Sequence, residues 1–252
     1  MSATTPVVKA MAAAPVRASG GRVDVWQVSL QAGSNEAALR SLSEPERRFA
    51  ARLRVGAGAW VGARAALRCV LGRYLGLDPG RVVLETGANG KPRLAGAATA
   101  DLRFNLSHSG DVGLIAVRLG HEVGVDVEEL RSGVDGAGIT REVFAAFEHS
   151  RLPTPRKEEP DAVFFRSWVR REALAKATGR GIVSPPSPDD TARFTVRDLD
   201  GIAGFAAALA SEGDDWRVRR VGPGDGPALG RRSAAPRRLL QAGRVIPGAQ
   251  PG

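Results

Sequence analysis

Residues 102–129, which read LRFNLSHSGDVGLIAVRLGHEVGVDVEE, contain the clearest indication of the fold class. Three apolar-rich runs, 102–106, 112–119 and 123–128, alternate with short turns that contain glycine. Such runs predict β-strands, and neighbouring parallel strands would need a connection much longer than these turns. The stretch therefore predicts successive strands that pair antiparallel.

Helix signals lie on both sides of this stretch. Upstream, Ser43 and Glu46 predict a capping box, and Pro45 fits the first helical turn. A second helix follows, with apolar residues at helical spacing: Trp60, Ala63, Leu67, Leu71 and Tyr74. Downstream, a long helix is predicted over 162–178, ending at Gly179. The pattern favours an α+β fold with helices packed on antiparallel sheets.

Weaker patterns complete the chain. Valines at 23, 25 and 28 predict a first strand. The further predictions are a loop over 131–138, a helix over 140–147, a surface loop over 152–160, and strands over 192–196, 201–208 and 216–221. Residues 1–21 predict a flexible extension, because their apolar centre is too short for a secretory signal. Residues 222–252, rich in glycine, proline and arginine, predict a disordered basic tail.

Composition limits the class of protein. The 252 residues include 36 Lys and Arg against 27 Asp and Glu, a net charge of +9 that favours phosphorylated ligands, nucleic acid or acidic proteins as partners. The single cysteine, Cys69, excludes a disulfide scaffold and a multi-cysteine zinc site. No apolar run approaches the roughly 18 residues of a membrane helix. We expect a soluble protein of the cytoplasm.

The strand 123–128 carries two acids, Asp126 and Glu128. Side chains two residues apart on a strand share a face, so both carboxylates can reach one hard cation. The alternative is an amphipathic strand that directs Val125 and Val127 inward and leaves the acids in water. Aspartate is unfavourable in strands, which weakens this alternative.

The long helix carries Glu172 and Lys176 four residues apart, with Trp168 one turn earlier on the same side. This face would offer a third carboxylate for a metal beside a cation for a phosphate. The alternative is a surface ion pair, which stabilises a helix by only a few tenths of a kcal/mol.

Two further features suggest phosphate binding. His108 and the hydroxyls of Ser107 and Ser109 interrupt a strand before its turn, without the spacing of a serine hydrolase. The alternative is a structural histidine. Residues 47–77 contain seven arginines and no acid, which suggests a phosphate-binding surface for a small ligand or a polyanion. The alternative is a merely solvated basic face.

Four motifs in order resemble the phosphopantetheinyl transferases of the surfactin-synthetase type. They are Gly-Lys-Pro at 90–92, FNLSHSG at 104–110, GVDVE at 124–128, and the helix 168–176 followed by 179–182. The resemblance implies two similar lobes related by a pseudo-two-fold axis, each a long helix packed on a small antiparallel sheet. It places the N-terminal lobe at 22–106 and the C-terminal lobe at 107–221.

The resemblance also implies roles for individual residues. Asp126, Glu128 and Glu172 match three magnesium ligands, and Glu172 is also the expected base. Lys176 and His108 match groups that contact the phosphates and assist the reaction. The other expected coenzyme A contacts are Ser107, Lys91, Arg48, Arg52 and Arg64. Arg171 departs from the family, which usually has lysine there.

The implied reaction is magnesium-dependent transfer of the phosphopantetheine arm of coenzyme A to a serine of an acyl or peptidyl carrier protein. Adenosine 3',5'-bisphosphate leaves, and a monomer with no membrane or nucleic-acid partner suffices. One rival is a basic nucleic-acid-binding protein, which explains the charge but not the three acids. Another is a family member that binds coenzyme A without turnover, because residues 222–232 lack the family's apolar final strand.

Overall fold

A computed structural model of the chain describes residues 5–6, 16–30, 35–87, 90–96, 101–132, 160–180 and 187–221. The helices are α1 (Glu36–Ser41), α2 (Glu44–Ala50), α3 (Ala57–Leu75), α4 (Pro160–Thr178) and α5 (Pro188–Arg193). The strands are β1 (Thr5–Pro6), β2 (Arg22–Ser29), β3 (Leu84–Thr86), β4 (Pro92–Leu94), β5 (Leu102–Ser109), β6 (Val112–Leu119), β7 (Val123–Glu129), β8 (Phe194–Asp198), β9 (Phe205–Glu212) and β10 (Arg217–Val221). The result is a mixed α and β fold, and the predicted capping box of α2 is confirmed.

The first sheet has the order β1-β2-β6-β5, and β10 also pairs with β2. Strands β5 and β6 are antiparallel, as predicted, and so are β2 and β6. Strands β1 and β10 both run parallel to β2 and share its outer edge, β10 beside residues 22–26 and β1 beside 28–29. The sheet is therefore mixed, whereas the sequence favoured antiparallel pairing alone.

The second sheet is antiparallel, with the order β7-β9-β8. The prediction that β7 continues the antiparallel succession after β6 is wrong. Strand β6 is already paired on both sides, with β2 and with β5, so its edges leave no place for β7. The turn after Leu119 instead carries the chain into the second sheet.

The two sheets pack face to face between two helices. Helix α3 covers the first sheet through a core that includes Leu67, Leu71 and Ile115. Between the sheets lies a second core, formed on β7 by Val123, Val125 and Val127. Helix α4 covers the outer face of the second sheet, where β9 presents Ala206, Ala208 and Ala210. No helix among these elements is long and apolar enough to span a bilayer.

Several predicted boundaries need correction. Residues 192–193, predicted as strand, end the helix α5, which Ser187 caps together with Asp190. Strand β9 begins at Phe205 rather than at 201, after two glycines with positive φ, Gly201 and Gly204. The predictions for 133–138, 140–147, 152–159 and 222–252 lie outside the described residues.

Two proposed segment boundaries also differ from the observed elements. Val16, expected in the flexible extension, is buried in the first core, and its N–H donates to the Arg73 carbonyl at 3.1 Å. The expected division between lobes after residue 106 falls inside β5, which continues to Ser109 and pairs with β6 throughout.

A buried polar network holds the basic strand β10. Asp24 of β2, only 1% exposed, accepts hydrogen bonds from Arg219 Nε and Nη2 at 2.7 and 2.6 Å. It also accepts one from the Tyr74 hydroxyl of α3 at 2.8 Å. This carboxylate therefore ties the last described strand to both β2 and α3.

Candidate active site

Strand β7 and helix α4 meet at a buried ion pair. Lys176 Nζ donates to Asp126 Oδ1 at 2.5 Å and to Ser107 Oγ at 3.0 Å. Ser107 in turn donates to the same Asp126 oxygen at 2.7 Å. Asp126 is 2% exposed, so the alternative that leaves this acid in water is wrong.

Glu172 lies one turn before Lys176 on α4 and is 4% exposed. Burial raises the pKa of its carboxyl to about 7, with the negative charge of Asp126 adding to the effect and the Lys176 ammonium opposing it. The helix acid therefore lies within electrostatic range of Asp126 and of the Lys176 cation. Its two protonation states are close in energy at neutral pH.

Glu128 follows Asp126 on the same face of β7 and is half-buried. Its Oε2 accepts a hydrogen bond from Ser109 Oγ at 2.9 Å. Burial raises the pKa of Glu128 in spite of this bond, and the charge of Asp126 raises it further. Asp126, Glu128 and Glu172 therefore lie within electrostatic range of one another.

The close approach of α4 to β7 depends on Gly124. A Cβ at this position would overlap the carbonyl oxygen of Ala173 and the backbone nitrogen of Ala177, and would lie 3.0 Å from the Ala177 Cα. Glycine therefore lets the helix backbone rest directly on the strand. This contact sets the height at which Glu172 and Lys176 meet the acids of β7.

One face of β5 fastens the open edge of β7. Its residues 105, 107 and 109 lie opposite residues 116, 114 and 112 of β6, so their side chains point toward the second sheet. Asn105 Oδ1 accepts the N–H of Val125 at 2.9 Å, and Ser109 Oγ accepts that of Glu129 at 3.1 Å. These side chains supply hydrogen bonds that a neighbouring strand would otherwise make.

Two carboxylate oxygens in this region, Asp126 Oδ2 and Glu172 Oε1, are buried and have no hydrogen-bond partner among the described residues. Buried carboxylate oxygens need a proton, a donor or a cation. Hard divalent cations prefer such oxygen ligands, so the donor set fits magnesium. Within the described ranges, however, no group of three or more His, Cys, Asp or Glu side chains is arranged so that it could hold a metal ion. In this conformation the Lys176 ammonium supplies the positive charge at Asp126.

A cleft of about 510 Å³ adjoins the end of α4. Lys91 lies in its wall and donates to Glu122 Oε2 at 2.9 Å and to the Val123 carbonyl at 3.2 Å. Arg103 approaches the other oxygen of Glu122 at 3.4 Å. The cleft is thus lined by charges of both signs, with Phe104 and Leu102 as apolar wall.

Comparison with known proteins decides the family. The 4'-phosphopantetheinyl transferase superfamily matches residues 122–224, which include β7 and α4. The chain is 34% identical over 173 residues to the 4'-phosphopantetheinyl transferase HetI of a Nostoc species, a match that covers 64% of this chain and 73% of the relative. The chain belongs to the 4'-phosphopantetheinyl transferase superfamily.

Two further relatives support the assignment of this chain to the phosphopantetheinyl transferases. The 4'-phosphopantetheinyl transferase AcpT of Salmonella typhimurium is 37% identical over 124 residues, covering 49% of this chain and 62% of the relative. The 4'-phosphopantetheinyl transferase psf-1 of Bacillus pumilus is 36% identical over 116 residues, covering 46% and 48%. The chain therefore spans about half to three quarters of the length of these relatives, and it is an enzyme of this class.

The transferase brings five of the ten expected site residues together, whereas His108, Lys91 and the three arginines lie apart from that group. Asp126, Glu172, Lys176 and Ser107 lie around one ion pair, and Glu128 follows on the same strand face. His108 is exposed, and strand alternation directs it to the face of β5 opposite Ser107. Partial desolvation and the nearby Lys176 charge both lower the pKa of its imidazole, so His108 is neutral at physiological pH.

Several arginines of the basic run in the transferase form ion pairs with acids of the same chain. Glu46 binds Arg64 Nε at 2.5 Å and Arg68 Nε at 2.6 Å, and these bonds with the Ser43 N–H outweigh burial and lower the pKa of Glu46. Arg48 lies 3.8 Å from Glu44 and is exposed. The acids that neutralise the run, Glu44 and Glu46, lie just before its first arginine in the chain. Of the three predicted contacts, Arg52 is exposed and Arg64 is half-buried in an ion pair.

Three residues of the transferase site escaped sequence reasoning. The sequence predicts a phosphate-binding hydroxyl at Ser109 but no contact with β7, and it marks Asn105 and Gly124 only as members of the FNLSHSG and GVDVE motifs. A usable signal for the first two was their period-two spacing with Ser107, which places three polar side chains on one face of a strand. No sequence signal identifies the element that this face contacts.

Proposed function

We propose that the chain is a magnesium-dependent phosphopantetheinyl transferase of the surfactin-synthetase type. It moves the phosphopantetheine arm of coenzyme A to a serine of an acyl or peptidyl carrier protein and releases adenosine 3',5'-bisphosphate. The observation that carries the proposal is the pair of Asp126 and Lys176 beside Glu172, with two carboxylate oxygens that find no partner in the described part of the chain.

Asp126, Glu128 and Glu172 are the residues that would hold the metal. Magnesium, when bound, supplies Lewis-acid charge that neutralises the diphosphate oxygens of coenzyme A. The unpartnered oxygens of Asp126 and Glu172 support this assignment, and so does the raised pKa of Glu172, because a cation would compensate a charge that burial disfavours.

Lys176 and Ser107 act on the phosphates in this proposal. Lys176 has a quarter of its side chain exposed and three hydrogens to donate, so it can hold Asp126 and still meet an anion. Ser107 offers a hydroxyl at the same point, and His108 can donate to an oxygen from the end of β5. Fixed donors aimed at developing negative charge are the main source of rate enhancement in such transfers.

The attacking serine hydroxyl must lose its proton as its oxygen bonds to the β-phosphorus and the adenosine bisphosphate leaves. Glu172 is the proposed acceptor, directly or through water. A pKa of about 7 suits a base that works at neutral pH, although binding to a metal would weaken its basicity.

We assign residues to the nucleotide part of coenzyme A from their charge and from the space beside them. Lys91 and its cleft support a site for the nucleotide, and the exposed Arg48 and Arg52 suit the ribose phosphate. Arg64 can take part only by sharing its charge with Glu46. We also propose that the α3 and α4 halves are two pseudo-symmetric lobes, and that the enzyme acts as a cytoplasmic monomer.

The decisive experiment incubates the full chain with coenzyme A, magnesium and an apo carrier protein, followed by intact-protein mass spectrometry. We expect a mass increase of one phosphopantetheine group and an equimolar amount of adenosine 3',5'-bisphosphate. EDTA, or a carrier whose acceptor serine is alanine, should abolish both signals. Coenzyme A binding without a mass increase would favour the non-catalytic alternative. Duplex binding with a steep inverse salt dependence, unaffected by Asp126→Ala, would favour the nucleic-acid alternative.

A further inference from the structure

Among the side chains that fasten β7, Ser109 contacts a proposed metal ligand directly. We propose that Ser109 is a positioning residue whose hydroxyl fixes the orientation of the Glu128 carboxylate for divalent-cation binding. This inference rests on the proposed function, because it assigns Glu128 to the cation.

The hydrogen bonds of Ser109 fix the direction of its hydroxyl hydrogen. The Oγ accepts the N–H of Glu129 at 3.1 Å and donates to Glu128 Oε2 at 2.9 Å. Because a lone pair of the oxygen receives the backbone N–H, the hydroxyl hydrogen remains for the carboxylate. Ser109 is buried, so water competes little for either bond. The Ser109 oxygen therefore binds both the side chain of Glu128 and the backbone of Glu129.

Glu128 needs such a partner more than Asp126 does. Asp126 is short, buried, and bound by both Ser107 and Lys176. Glu128 has one more rotatable bond and is half-buried close to the end of β7. Its described side-chain hydrogen bond comes from Ser109. Loss of that hydroxyl would let the carboxylate rotate away from the side of Asp126.

The strand that carries Ser109 is itself well fixed. Asn105, four residues earlier on the same face of β5, accepts the N–H of Val125 at 2.9 Å. Bonds at both ends of β7 therefore set the register between β5 and β7, and Ser109 acts from a rigid position. Hydrogen bonds that orient a ligand from outside its coordination sphere typically change metal affinity or activity by about 10–100-fold when removed.

The test compares the full chain with its Ser109→Ala, Ser109→Thr and Ser109→Cys variants. Mn²⁺ binding in the presence of coenzyme A is measured by electron paramagnetic resonance, and transfer is measured against magnesium concentration. We expect Ser109→Ala to weaken Mn²⁺ binding about 10–100-fold and to raise the magnesium requirement in proportion, with kcat largely recovered at saturating magnesium. Ser109→Thr keeps the hydroxyl and should restore both. Ser109→Cys keeps the size but donates weakly, so it covers the case in which the alanine variant fails to fold.

Ser211→Ala is the matched control. Ser211 is fully buried on β9 and its Oγ also makes two hydrogen bonds, accepting from Arg118 and donating to the Glu122 carbonyl. Its loss should lower stability and leave Mn²⁺ binding unchanged. Wild-type affinity in Ser109→Ala or Ser109→Cys, or equal losses in Ser211→Ala, would overturn the positioning role alone. A wild-type chain that binds no Mn²⁺ with coenzyme A present would overturn the proposed function as well.

Discussion

Lys176 Nζ lies 2.5 Å from Asp126 Oδ1, and this ion pair joins helix α4 to strand β7. Asp126 is almost completely buried, whereas about a quarter of the Lys176 side chain is exposed. The pair neutralises a charge that would otherwise be costly inside the protein. The other carboxylate oxygen of Asp126, Oδ2, has no hydrogen-bond partner among the described residues.

Replacing Lys176 with methionine should destabilise the metal-free protein by about 3 kcal/mol, because Asp126 is left buried and unpaired. Denaturant unfolding in EDTA measures the effect. The Asp126→Asn and Lys176→Met double variant should recover part of the loss, giving a coupling energy of about 1–3 kcal/mol. Strictly additive losses would show that the two side chains do not interact.

Replacing Asp126 or Glu172 with alanine should lower the transfer rate on the order of a thousandfold, because each change removes a proposed ligand of the cation that offsets the diphosphate charge. The rate is followed by the mass of the carrier protein, and circular dichroism checks that the variants remain folded. Exposed Glu36, which pairs with Arg40 on α1, provides a control in Glu36→Ala. Near-normal turnover in a folded Asp126 or Glu172 variant would contradict the assignment.

Gly124→Ala should reduce both stability and transfer. The added methyl group would push α4 away from β7, at a cost of about 1–3 kcal/mol for overpacking. A displacement of about 1 Å at Glu172 and Lys176 is enough to lower the rate by roughly a hundredfold. Gly21→Ala, where an added Cβ meets no atom within 4 Å, should match the wild type in both assays.

The raised pKa of Glu172 predicts that stability without metal falls as pH rises. The folded protein keeps the Glu172 proton up to about pH 7, whereas the unfolded chain loses it near 4.5. Between these values the unfolded state binds fewer protons, so the free energy of unfolding decreases with pH. Glu172→Gln should match the wild type below pH 4.5 and exceed it by about 3 kcal/mol above pH 7. Unfolding in EDTA across this range measures the difference, and a constant difference would contradict the shift.

Arg219→Ala should destabilise the fold by about 1.5–3 kcal/mol without changing the chemistry of transfer, since Asp24 loses its bidentate partner but keeps Arg22 Nε at 3.0 Å. Thermal unfolding measures the loss, and transfer at a temperature where the variant is folded tests the second statement. Arg217→Ala on the same strand removes an exposed arginine and should have little effect. Equal losses in the two variants would indicate a general effect of charge on β10.

The main helices and most strands followed from local patterns in the sequence. The capping box at Ser43 and the helical spacing from Trp60 to Tyr74 depend on interactions within a few residues. Pairing depends on contacts between distant residues. Strand β7 is not part of the first sheet, because both edges of β6 are occupied by β2 and β5. Strand β10 pairs with β2, and the Arg219–Asp24 ion pair links the two strands. Neither event has a local signature.

Residue types and their spacing along the chain are enough to specify the available chemistry: two acids on one strand face, an acid and a lysine on one helix face, and hydroxyls at spacing two. Which of these charges are paired depends on the folded structure, because burial and counter-ions arise from the packing of distant elements. The folded structure pairs Lys176 with Asp126 and Arg64 with Glu46, and it directs His108 and Ser107 to opposite faces of β5. It also set the raised pKa of Glu172, since desolvation exists only after α4 has packed on β7 at Gly124.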